Sequence, residues 1–234
     1  MLLLAFETSA KAASVALHDG SRLLGESYQN TGLTHSQTLM VMAEDLLGQC
    51  GHTPQEVTDV AVAAGPGSFT GVRIGVAAAK GFAWGGELNC WGVSTLEAMA
   101  RHLGIFEGHI CCCMDARRSQ VYNALFYVNQ GALERKSEDR AIALADLKTE
   151  LTEIDGPIYL VGDGAELAYQ TLELPNLVLA AEHRRHQRAT GVALAALEMM
   201  ARGESANGAE LTPNYLRLSQ AERERAEKMQ KMII

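Results

Sequence analysis

The chain has 234 residues, 47% hydrophobic and 21% charged, which suits one large domain or two small ones and excludes a disordered chain. A net charge of −8 argues against stand-alone nucleic-acid binding, because phosphate contacts need Lys and Arg; any RNA would be gripped mainly by a partner. The apolar runs fall short of the ~20 residues a membrane-spanning helix needs, and MLLLAF is too short for a signal peptide and meets Glu7 at once, so the chain reads as cytoplasmic.

In chain order, LLLAFETS (2–9) is an apolar run of strand length that ends in one acid and two hydroxyls, Glu7, Thr8 and Ser9. AASVALHDG and RLLGESYQ follow, separated by the turn signal DGS at 19–21, and predict an antiparallel meander. The next segment, 34–50, predicts a helix with Thr34 as N-cap, Gln37 completing a capping box, and Gly51 just beyond the last turn. Its apolar stripe is Leu39, Met42, Ala43 and Leu46, and Met40, Val41 and Leu47 widen it. A helix apolar on more than one side needs two surfaces, a sheet and either a third layer or a partner protein.

VTDVAVAAG (57–65) predicts a buried strand, and a helix over about 70–84 follows it. Gly71, Gly75 and Ala79 recur every four residues on one face of that helix, so another backbone can approach it closely. CWGVS and TLEAMARHL predict a strand and a helix, giving the order β-β-β-α-β-α-β-α of an α/β domain with a mixed sheet. The second half, from near 104–109, repeats this order only loosely. HICCCMDAR and QVYNALFYV are strands around a polar turn at 117–119; ALADLKTEL is a helix, PIYLVGDGA a strand and RATGVALAALEMMARG a long helix. LTPNYLR reads as irregular or strand-like, and SQAERERAEKMQ as a charged, solvated helical tail.

Cys111, Cys112 and Cys113 lie on a predicted strand, where neighbours point to opposite faces, so they cannot converge on one metal and read as buried thiols. The densest basic run, His183 to Arg188, reads as a solvated loop before a helix rather than a phosphate contact, and Asp115, Arg117 and Arg118 as surface pairs. No HExxH is present to support a zinc-protease reading.

GPGSFTGVRIG (65–75) carries four glycines between a strand and a helix. Such a turn can present free N–H groups at the positive end of a helix dipole, a site for phosphate. It is neither a Walker A loop nor a GxGxxG of dinucleotide spacing. The other reading is a turn that lets helix and sheet pack closely, and spacing alone leaves both open. FETS has the same two readings: an acid and hydroxyls that hold a phosphate or its magnesium, or groups that satisfy turn amides.

FETS on the first strand, the β-β-β-α-β-α start and GPGSFTGVRIG together resemble the actin-like ATPase superfamily. More narrowly they resemble the TsaB (YeaZ) family, as do THSQTL (34–39), GVSTLEAMA (92–100) and PNYLR (213–217). The resemblance implies an actin-like (ribonuclease H-like) two-lobed α/β fold, with mixed sheets flanked by helices, an N-terminal lobe over 1–105 and a reduced C-terminal lobe over 106–234. It implies a non-catalytic scaffold for the larger paralogue TsaD, acting together with the ATPase TsaE. That paralogue modifies the adenosine beside the anticodon of tRNAs that read codons beginning with A. In it, two histidines four residues apart bind the catalytic metal; the matched positions here are Thr95 and Met99, which supply no such ligands.

The helices 34–50 and 70–84 are then expected side by side, with outward faces meeting TsaD or, when the chain is alone, a second copy. The expected interface residues are His35, Leu39, Met42, Leu46, Gly71, Val72, Gly75, Ala78 and Ala79. The expected phosphate-like loops are Glu7, Thr8, Ser9, Gly65, Gly67 and Ser68, with no tightly bound cofactor and ATP or ADP at the complex interface. The superfamily usually carries Asp where this chain has Glu7. tRNA would be contacted through the complex, and no membrane is involved. The alternative is an independently active ATPase or kinase of the same superfamily.

Overall fold

β1 (Leu3–Glu7), β2 (Ala13–His18) and β3 (Leu23–Gln29) form the antiparallel meander that the turn signals predict. Asp19 builds the turn between β2 and β3: one carboxylate oxygen accepts from the Ser21 and Arg22 amides, both at 2.9 Å, and from the Ser21 hydroxyl at 2.7 Å. This computed structural model describes residues 1–105, 107–206, 208 and 210–217; the charged segment SQAERERAEKMQ lies outside the described residues.

α1 spans His35–Gln49. Thr34 stands at its N-cap, but its side chain makes no capping bond; the expected box is replaced by a backbone bond from the Gln37 N–H to the Thr34 carbonyl at 2.9 Å. The C-terminus closes as expected: Gly51 has φ +76°, its N–H reaches the Gly48 carbonyl, and the His52 N–H reaches the Leu47 carbonyl at 2.9 Å. β4 (Asp59–Gly65), α2 (Phe69–Gly86), β5 (Asn89–Ser94) and α3 (Thr95–Leu103) complete the first half. The first sheet has the order β3-β2-β1-β4-β5, with β1, β4 and β5 parallel.

The second half contains β6 (Gly108–Asp115), β7 (Gln120–Asn129), β8 (Ala132–Arg135), β9 (Arg140–Ala143), α4 (Leu144–Thr152), β10 (Ile158–Val161), α5 (Ala165–Leu172), β11 (Leu177–Leu179), α6 (Glu182–Arg185) and α7 (Ala189–Ala201). Its sheet runs β8-β7-β6-β10-β11, with β9 also pairing with β7. The repeat is therefore close rather than loose: strand order and strand directions match those of the first sheet one for one. This is the actin-like, two-lobed arrangement.

Strand alternation sorts the core into layers. Leu4, Phe6, Val15 and Leu17 face α1 and α2, where they meet Leu39, Met42, Leu46, Val72 and Val76. The opposite face is built of Leu3, Ala5, Ala16, Ala61 and Ala63, which α7 covers with Ala189, Val192, Ala193 and Ala196. Small residues on both sides bring that helix close. α3 covers one face of the second sheet with Leu96, Met99, Ala100 and Leu103, while α4 and α5 cover the other. Cys112 points to the α3 face and Cys111 and Cys113 to the other, their sulfurs 3.6 Å apart, as a two-residue period requires. Burial holds the Cys112 thiol well above its ordinary range.

α7 follows the second lobe in sequence but packs on the first sheet. It also crosses α3 at Gly191, where an added Cβ would run into the Ala98 carbonyl and come within 3.0 Å of the His102 Cβ. Gly191→Val is expected to cost about 2 kcal/mol or more through overpacking, read as a lower urea midpoint.

Candidate functional site

The glycine turn forms where β4 ends. Gly65 has φ +120°, a conformation that favours glycine, and a cis peptide leads to Pro66. Ser68 is the N-cap of α2, and its hydroxyl accepts from the Gly71 N–H at 3.3 Å. The Ser68 N–H donates to the Ser9 carbonyl at 2.6 Å, and the Thr8 hydroxyl donates to the Gly71 carbonyl at 2.8 Å. The two stretches singled out in the sequence are thus brought together, in direct contact. A Cβ at Gly67 would lie 2.6 Å from the Ser9 carbonyl oxygen, and one at Gly71 would run into the Thr8 carbonyl. Of the two readings left open by spacing, the geometry matches close packing of helix on sheet: Ser9 holds the place beside the Ser68 N–H.

Glu7 is 1% exposed. Its Oε1 accepts the Ser9 N–H at 2.5 Å, so the side chain curls back on its own turn. Burial outweighs the hydrogen bonding from Ser9 and, with a smaller push from the Asp163 charge, raises its pKa to about 7. Asp163, just after β10, is also raised, chiefly by burial, although Gln187 donates to it at 3.1 Å. Glu7 Oε2 and Gln187 Oε1 are buried without a hydrogen-bond partner among the described residues. The carboxyl ends of β1 and β10 therefore bring two acids to the junction of the lobes. Among the described residues, no group of three or more His, Cys, Asp or Glu is placed to hold a metal ion.

The expected interface residues lie mostly inside the chain, which corrects their expected outward orientation. Leu39, Met42, Leu46, Val72 and Ala79 are buried in the core under α1 and α2, and Ala78 packs half-buried against it. Gly71 and Gly75 are buried too: a Cβ at Gly75 would run into the Thr8 hydroxyl and lie 3.2 Å from Val62. Their small size serves the approach of α2 to β1. His35 is half-buried, with Nε2 2.9 Å from the Ala10 carbonyl, and ties the start of α1 to the turn after β1. The physical reason is that the most continuous apolar stripe of a helix takes the sheet. What remains outside is Leu33, Met40 and Val41 around α1, and Arg73, Ala77, Gly81 and Trp84 along α2, with Trp84 86% exposed.

The basic run is also more structural than a solvated loop. Arg184 donates to the Leu103 carbonyl at 3.3 Å, Arg185 to the Ala180 carbonyl at 3.0 Å, and Arg188 pairs with Glu26 at 3.0 Å while lying over the Tyr28 ring. Arg117 pairs with Asp115 at 3.4 Å, as expected for a surface pair. Thr95 and Met99 open α3, and both are buried, Met99 within the core. Sequence reasoning missed one element of the site. Residues 211–217 lie across the glycine turn: the Asn214 N–H donates to the Ala64 carbonyl at 2.6 Å, and Tyr215 stacks on Phe69 at 4.6 Å. An aromatic and an arginine in an otherwise irregular tail were the available signal. Among the described residues, no helix is long and apolar enough to cross a membrane.

Comparison with known proteins places this geometry. A family model described as "TsaD: tRNA N6-adenosine threonylcarbamoyltransferase" matches residues 29–224. A Bacillus subtilis (strain 168) relative, "tRNA threonylcarbamoyladenosine biosynthesis protein TsaB", is 35% identical over 95% of this chain and 96% of its own. The protein of the same description from Escherichia coli (strain K12) is 31% identical over 93% and 95%. Among solved structures, "YeaZ from Pseudomonas aeruginosa" superposes with a TM-score of 0.76 at 27% identity, covering 92% of this chain and 99% of that one.

The Glu7 carboxyl titrates near 7 when folded, against an ordinary 4.5. Between these values the folded chain keeps a proton that the unfolded chain has released, so stability falls as pH rises through this window, by about 3 kcal/mol for this group. Glu7→Gln keeps an oxygen for the Ser9 N–H and cannot ionise. It is expected to flatten the fall in urea midpoint between pH 5 and pH 8; an unchanged slope would show that Glu7 does not carry it. Gly75→Leu is expected to unfold the first lobe rather than block association selectively, seen as loss of a cooperative thermal transition.

Proposed function

The chain belongs to the TsaB (YeaZ) family, and from that premise we propose that it serves the biosynthesis of threonylcarbamoyladenosine in tRNA as a non-catalytic scaffold subunit. It binds the larger paralogue TsaD, acts together with TsaE, and pairs with a second copy when alone. The observation that carries this reading is the outward side of α1 and α2. Arg73, Ala77, Gly81 and Trp84 form one exposed stripe of α2, while Leu33, Met40 and Val41 are exposed around α1, Val41 in a groove that Glu26, Ser27 and Gln29 of β3 also line. An exposed tryptophan among small residues is the pattern of an anchor that a partner covers. Two further observations support a scaffold rather than a transferase. By the family resemblance, Thr95 and Met99 match the positions of the paralogue's metal-binding histidines and supply no such ligands, and Met99 is core. The turn that resembles a phosphate loop is occupied by Thr8 and Ser9.

A nucleotide, on this reading, belongs at the interface between subunits. With a net charge of −8, the chain meets tRNA through the complex, in the cytoplasm.

Mass spectrometry of tRNA nucleosides after depletion of this protein tests the pathway. Threonylcarbamoyladenosine is expected to vanish while TsaD persists; an unchanged level would remove the assignment. The surface is tested separately. Trp84→Ala changes an exposed side chain and is expected to weaken association with TsaD by about tenfold or more, with the chain still folded. Wild-type sedimentation of the mixed proteins would exclude this face.

A further inference from the structure

After α7 the chain leaves the layer between the sheets and passes to the opposite face of the first sheet. Gly208 packs against Cys90, and the Leu211 side chain fills the space over Gly92, where any Cβ would collide with it. Lys80 on α2 donates to the Leu211 carbonyl at 3.1 Å. Three residues on, the Asn214 N–H bonds the Ala64 carbonyl, and the Asn214 carbonyl oxygen lies 2.5 Å from where a Gly65 Cβ would be. The Tyr215 hydroxyl accepts from Arg73 Nε at 2.7 Å, while the Arg73 guanidinium lies 3.8 Å above the Phe69 ring that Tyr215 stacks on. Arg217 then reaches the other lobe, donating to the Ala116 carbonyl at 2.5 Å in the turn between β6 and β7.

This segment has neither helix nor strand of its own, yet it touches the first sheet, α2, the glycine turn and the second lobe. We propose that residues 211–217 are a releasable clamp that holds the two lobes closed across the glycine turn, and that undocking it lets the junction at Glu7 and Gln187 open.

Two features of the molecule argue for release as well as for closure. Among the described residues the clamp makes one backbone hydrogen bond to β4, and its other contacts involve side chains, so it can detach without breaking a sheet or a helix, at a lower cost than global unfolding. The junction behind it holds two buried polar atoms, Glu7 Oε2 and Gln187 Oε1, that have no hydrogen-bond partner among the described residues. Buried polar groups without partners favour any rearrangement that wets them. The closed form therefore contains its own drive to open, and the clamp opposes it. The lobes stay joined behind the mouth by the packing of α3 against α7, which gives the opening a pivot.

The proposal concerns the isolated chain and does not depend on the scaffold reading. Amide hydrogen exchange on the full chain tests it, comparing wild type with Tyr215→Ala and Arg217→Ala. Both variants are expected to speed exchange by about tenfold in the turns of both lobes together, at residues 7–10, 66–72 and 115–120, with α4 and α5 unchanged. Tyr215→Phe keeps the ring stack and loses only the bond from Arg73, so it should restore most of the protection. Faster exchange confined to 211–217 would overturn the proposal. So would a uniform rise that includes α4 and α5, since that is global destabilisation and not an opening of the junction.

Discussion

Thr8 donates its hydroxyl proton to the Gly71 carbonyl at 2.8 Å, and the Ser9 carbonyl accepts the Ser68 N–H at 2.6 Å, so the end of β1 and the start of α2 meet backbone to backbone. That contact requires Gly67, Gly71 and Gly75, since a Cβ at any of them meets Thr8 or Ser9. Much else in the first lobe depends on it. It sets how deeply α2 presses Val72 and Val76 into the core. A turn that looks made for an anion is used here to join two of the chain's own elements.

The second constraint is the division of the first sheet into a large-residue face and a small-residue face. Leucine, phenylalanine and valine accommodate the pair α1 and α2, whereas Ala5, Ala16, Ala61 and Ala63, alongside Leu3, Trp91 and Val93, receive α7. The two halves are topological copies, and each lends its last helix, α3 or α7, to the space between them. The lobes are thus joined by a buried layer at the back and by side chains at the mouth. Burial raises the pKa of both acids at that mouth, Glu7 and Asp163, so each favours its neutral form there.

Much of the first half was legible in the sequence, because its strands are five to seven residues long with clear turn signals. The second half hid more. β8, β9 and β11 have four, four and three residues, too few for alternation to register, and α5 has only eight. The contact between the glycine turn and FETS is a finding of the structure; composition could not say whether the two stretches leave room between them. The helix stripes were correctly identified as apolar but assigned to the wrong side: Leu39 and Met42 face the sheet, and Met40 and Val41 face out. Hydrophobicity ranks faces, and only packing decides which of two apolar faces is covered. The contact of Tyr215 with Phe69 and Arg73 joins residues far apart in sequence through an irregular segment, which no local pattern encodes.

The position of α7 has a consequence for synthesis. The first sheet is complete once residue 94 has been made, but the helix that covers its alanine face ends at Ala201. During the intervening hundred or so residues of translation, that face has no permanent cover. The nascent first lobe must therefore wait, partly folded and adhesive, for nearly the whole chain to emerge. A truncation or a ribosomal stall within the second lobe would strand it in that state, making the first lobe a client for chaperones until its own last helix arrives.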